Sequence, residues 1–108
     1  MSLSDKTCQP CHGAVPSLTR EQIAPLLSQL NNWQVIDDKR LHKSIKTKDF
    51  LQSLKLANKI GDIAEDQQHH PDLLVRWGEL AIDLFTHAVG GLTEADFILA
   101  AKIDKALA

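Results

Sequence analysis

Between Glu65 and Pro71 the chain reads E-D-Q-Q-H-H-P, and these two adjacent imidazoles closed by a proline are its residues best suited to moving protons. Histidine gives and takes a proton near neutral pH, so a pair on a stiff corner suggests acid-base chemistry first and metal ligation second. The plain alternative is a polar helix end, where histidine favours the dipole. Further on, the run from Leu80 alternates. Leu80, Ile82 and Leu84 share one face and Ala81, Asp83, Phe85 and His87 the other, which turns His87 away from the aliphatic side. Glu65 stands four residues before His69. A helix persisting that far would place both on one face and let the carboxylate orient the ring; otherwise Glu65 is an ordinary solvated charge. Asp96, three residues after Thr93, serves a helix start whether or not it also serves a site.

A hydrolytic metal centre built from Glu65, His69, His70, His87 and Asp96 is disfavoured. Adjacent histidines diverge, whereas helical pairs spaced as in H-E-x-x-H converge on one ion. No metal and no cofactor is expected at these residues. The string C-Q-P-C-H at Cys8, Cys11 and His12 matches a haem attachment sequence and half of a zinc site. Haem would need export and an axial partner, and the only methionine is Met1. A structural zinc would need one more ligand. The stretch therefore reads as a tail carrying two thiols.

The elements that must hold these residues follow from periodicity. Residues 1–18, with Pro10, Gly13 and Pro16 and no apolar period, read as an irregular N-terminal arm, and the domain is expected over 19–108. Thr19 and Gln22 form a capping-box pattern before the stripe Ile23, Leu26, Leu27, Leu30, although Pro25 should make the helix bend or start late. Trp33 to Ile36 and Leu41 to Ile45 flank a polar turn and read as a hairpin. Thr47 is placed to cap a long helix with Phe50, Leu54, Ala57, Gly61 and Ala64 on one side, ending at the histidine pair. Leu73 to Arg76 and Leu80 to Thr86 read as a second hairpin across Trp77-Gly78-Glu79, Gly90-Gly91 as a flexible turn, and Thr93 with Asp96 as the start of a last helix. The order α-β-β-α-β-β-α predicts an α+β fold with a four-stranded, largely antiparallel sheet and helices on one face.

At 108 residues and 44% hydrophobic content the chain supports one domain with one core. A net charge of −2 without a basic block argues against nucleic acid as a partner. No apolar run approaches the ~20 residues of a membrane span, and the first residues lack the character of a secretory signal, so a cytoplasmic protein is expected.

Taken together, Glu65, His69-His70-Pro71, the aromatic Trp77, Thr86-His87, Gly91-Leu92 and Asp96 resemble the pterin-4a-carbinolamine dehydratases, over about residues 19–107. The resemblance implies removal of water from 4a-hydroxytetrahydropterin to give quinonoid dihydropterin, in tetrahydrobiopterin recycling for aromatic amino-acid hydroxylation. It makes His69 and His87 the acid-base pair and His70 the residue that holds the pterin, with Glu65, Pro71, Trp77 and Asp96 binding or supporting. Trp77 stands where the family often has tyrosine. It also implies a pterin as the small-molecule partner, a homodimer or homotetramer, and a functional link to phenylalanine hydroxylase. Two alternatives come with it: a pterin-binding role in molybdenum-cofactor metabolism, and a protein-binding role as dimerisation cofactor of a transcription factor.

Overall fold

Thr19 opens the first helix. Its hydroxyl accepts the Gln22 N–H at 3.3 Å, and its own N–H donates to the Gln22 side chain at 2.8 Å, completing the capping box of α1, Arg20–Leu27. The computed structural model, which describes residues 2–8 and 16–108, shows that this helix does not start late. It runs through Pro25 and stops two residues beyond it. Strands β1, Gln34–Ile36, and β2, Arg40–Lys46, follow as the expected hairpin. Asp37 and Asp38 make its turn by taking left-handed conformations, with φ of 53° and 58°.

Helix α2, Phe50–Gln67, differs from the sequence expectation in two respects. Its cap is Asp49, whose carboxylate accepts the Gln52 N–H at 2.8 Å, whereas the Thr47 hydroxyl bonds to the Ser53 hydroxyl. Its buried line is Ser53, Ala57, Ile60 and Ala64 rather than one led by Phe50 and Leu54. Small side chains on the inner face let the helix lie close to the sheet, and Phe50, Leu51 and Leu54 are turned outward.

The second hairpin joins β3, Asp72–Arg76, to β4, Glu79–Leu84, through Trp77 and Gly78. Helix α3, Glu94–Leu107, closes the fold. The sheet order is β1-β2-β4-β3 and every pairing is antiparallel. Cross-strand partners Leu41 and Leu84, Lys43 and Ile82, and Ile45 and Leu80 share the face toward the helices. There Leu41, Leu80, Ile82 and Leu84 form one core with Ile60 of α2 and Phe97, Leu99 and Ile103 of α3, all fully buried. Each such side chain contributes about 1.5–3 kcal/mol by leaving water.

Residues 1–18 were expected to form an irregular arm, and its described part, residues 2–8, packs on the domain. Leu3–Asp5 form a 3-10 turn, and Leu3 and Cys8 are buried in the main core. One well-placed leucine needs no period to be buried, which is why periodicity missed it. Cys11 and His12 lie outside the described residues.

Candidate active site

Two element ends meet to form the site, and both are defined by backbone chemistry. At the end of α2, Gln68 adopts a left-handed conformation with φ of 53°. Its N–H donates to the Glu65 carbonyl at 3.3 Å, and the His69 N–H reaches back to the Ala64 carbonyl at 3.2 Å. These are the two hydrogen bonds of a Schellman motif, made here with glutamine where glycine is usual. The reversal of hand takes His69 and His70 out of helical phase. Glu65 therefore does not meet His69; its carboxylate pairs with His70 Nε2 at the exposed surface, with side chains 72% and 56% accessible.

His69 turns instead to the start of α3. Its Nε2 lies 2.6 Å from Asp96 Oδ1, and Asp96 is completely buried. Burying a carboxylate costs several kcal/mol unless its oxygens are bonded. Both are: Oδ2 accepts the Thr93 N–H at 2.9 Å and the Thr86 hydroxyl at 2.8 Å. Since the single Thr86 hydroxyl hydrogen is used on Asp96, the Thr93 hydroxyl 2.9 Å away is the donor of the bond between the two threonines. Asp96 thus closes the capping box of α3 and anchors an imidazole at once. With Nε2 held by Asp96, Nδ1 is the His69 nitrogen left to meet a ligand.

Beyond β4 the chain continues as Phe85-Thr86-His87. Thr86 forms an isolated bridge with Gly91, its N–H donating to the Gly91 carbonyl at 2.8 Å, so the segment folds back on itself. Gly91 sits in a crowded place: a Cβ there would come within 2.9 Å of Ser17 Cβ, so one of the two segments would have to shift. Phe85 and His87 share a side, as the strand period predicted, and their ring centroids lie 4.2 Å apart at 50°. Gln68, His69, His70, Phe85, Thr86 and His87 line one cleft of about 210 Å³.

The structure thus brings His69, His70 and His87 together, with Asp96 behind His69 and Glu65 beside His70. Pro71 joins His70 to the first residue of β3. Trp77 is not brought to the cleft. It is 70% exposed in the turn at the opposite end of β4, roughly 25 Å from Phe85 at the ordinary strand rise. Phe85 as a cleft wall and Thr86 as a support of Asp96 were not singled out from sequence. The signal for Phe85 was present, since it lies two residues before His87 on the same strand face. Among the described residues, no three of His, Cys, Asp and Glu come together as a metal-binding group, and no helix is long and apolar enough to cross a membrane.

The family model described as pterin 4 alpha carbinolamine dehydratase matches residues 16–106. A relative from Rickettsia bellii named as a pterin-4-alpha-carbinolamine dehydratase is 52% identical, over 95% of this chain and 92% of its own length. Another bearing that name, from Rubrobacter xylanophilus, is 44% identical over 95% and 96%. Among solved structures, the transcriptional coactivator/pterin dehydratase from Brucella melitensis superposes with a TM-score of 0.76 at 29% identity, over 82% of this chain and 96% of that one. A pterin dehydratase-like RuBisCO assembly factor of the alpha-carboxysome shares the fold, with a TM-score of 0.57 at 18% identity over 69% and 88%.

Proposed function

From the premise that this chain belongs to the pterin 4 alpha carbinolamine dehydratase family, we propose that it is a hydro-lyase removing water from a 4a-hydroxytetrahydropterin to give the quinonoid dihydropterin. The observation that carries this reading is the cleft lined by three imidazoles, one of them fixed by a buried carboxylate.

The reaction needs one group to protonate the departing 4a-hydroxyl and another to accept the proton from the ring nitrogen. The C–O bond breaks to release water, and the electron pair left by the N–H bond forms the new C=N bond. No electrons leave the substrate. His69, projecting from the end of α2 with its ring held by Asp96, and His87, on the segment beyond β4, face one ligand from two directions and suit these two roles. His70, exposed and paired with Glu65, suits contact with the pterin rather than proton transfer. Phe85, packed at a tilt against His87, offers an apolar wall to a flat ring.

The product is taken to re-enter tetrahydrobiopterin recycling, which links the enzyme to an aromatic amino-acid hydroxylase such as phenylalanine hydroxylase. A second copy of the chain is the partner that would cover Phe50, Leu51 and Leu54, the exposed apolar row on α2.

Steady-state kinetics on 4a-hydroxytetrahydropterin decide the reading. The wild type should accelerate loss of water, and His69→Ala and His87→Ala should each lower kcat by about 10- to 10⁴-fold. His70→Ala should act mainly on KM. Wild-type kcat in the double His69→Ala, His87→Ala variant removes both residues from the mechanism.

A further inference from the structure

The N-terminal segment 2–8 lies outside the family match, yet it is fastened to both element ends that hold the His69–Asp96 pair. At α3, Lys6 Nζ meets the Glu94 carboxylate at 3.1 Å, and the Cys8 thiol donates to the Ala95 carbonyl at 3.5 Å. These are the two residues directly before Asp96. At α2, the Cys8 N–H donates to Gln67 Oε1 at 2.9 Å, and Gln67 is the last helical residue before the Gln68 reversal that aims His69. Lower on α3, Leu3 is buried in the core and Lys102 Nζ donates to the Ser4 carbonyl at 2.9 Å, so the segment is anchored before it reaches the site.

We propose that residues 2–8 form a positioning strap that ties the end of α2 to the first turn of α3 and sets the distance between His69 and Asp96. The inference rests on the catalytic reading of that pair. The residue that bridges the two helices is Cys8: its backbone reaches α2 and its side chain α3. The Lys6–Glu94 pair is exposed and contributes little energy, so direction comes mainly from the buried contacts of Leu3 and Cys8. A misplacement of about 1 Å at a catalytic group can cost about 10²-fold in rate, so a strap that never touches substrate can still govern turnover.

The test uses full-length protein with three substitutions. Gln67→Met removes the acceptor for the Cys8 N–H, Gln67→Glu keeps it, and Leu3→Asp drives the anchored end of the strap from the core. Gln67→Met should lower kcat about 10-fold with KM within about twofold, and Gln67→Glu should restore kcat to within about threefold of wild type. In substrate-free protein, the downfield proton resonance of the His69–Asp96 hydrogen bond should broaden or shift in Gln67→Met and Leu3→Asp and persist in Gln67→Glu. An unchanged resonance in Gln67→Met, or equal loss in Gln67→Met and Gln67→Glu, overturns the strap. If Leu3→Asp does not fold, the two Gln67 variants decide alone. A wild type without dehydratase activity defeats the functional reading, whereas the resonance still decides the strap.

Discussion

His69 and His70 are neighbours in sequence and line one cleft, yet their rings pair with carboxylates in two different settings, one buried and one exposed. At His69 the carboxylate is fully buried and held by two further donors. At His70 the carboxylate of Glu65 is 72% exposed on a helix surface, where water and salt compete for it. The same pair of chemical groups therefore serves as a rigid mount in one place and a loose contact in the other. Both follow the left-handed Gln68 that ends α2, and beyond it consecutive side chains are no longer held in helical phase and can enter unlike surroundings.

The sharpest way to break the comparison is at the buried carboxylate. Asp96→Ala leaves the Thr86 hydroxyl and the Thr93 N–H without their acceptor, and each unsatisfied buried donor costs about 1–3 kcal/mol. Stability in a urea titration should fall by about 2–4 kcal/mol, and kcat, measured where the variant is still folded, by about 10²-fold. A variant that keeps full activity would show that His69 needs no mount.

At the exposed pair the expected effect is far smaller. Glu65→Gln should change stability by less than about 0.5 kcal/mol, because at so exposed a contact side-chain ordering and water offset the attraction. Its kcat should stay within about twofold, measured beside the wild type at low and high salt. A loss comparable to that of Asp96→Ala would make the two regions equivalent and remove the contrast.

Trp77→Ala should do least of all to turnover. The side chain is solvent-exposed at the far end of β4, so kcat and KM should match the wild type at protein concentrations where the oligomeric state is unchanged. A raised KM under those conditions would bring Trp77 back to the pterin.

Much of the framework was legible because local chemistry and tertiary packing agree. The capping boxes at Thr19–Gln22 and Thr93–Asp96 mark helix starts that packing retains, and the period of two in β4 placed His87 opposite the core leucines. The site was harder to read. His69, His70 and His87 line one cleft, but a contact of Glu65 with His69 was expected only if the helix persisted past Gln67, and it does not. Nothing in a glutamine announces a left-handed turn; only Ala64 and Glu65, accepting the Schellman bonds, reveal it. The inner face of α2 was misjudged for a related reason. The periodic line included Ala57 and Ala64, which are buried, but began at Phe50 and Leu54, whereas the close approach to the sheet favours Ser53. Leu3, isolated in a polar stretch, has no periodic neighbours to betray its burial.

The double duty of Asp96 also bears on how this chain can change over generations. A polar residue at the third helical position ordinarily serves only to close a capping box, which gives a lineage room to drift. Position 96 lacks that room, because one of its oxygens serves α3 and the other His69. A substitution that preserves the helix but not the imidazole contact is silent to the fold and visible only to selection on turnover. Selection for the fold and selection for the reaction fall on the same side chain.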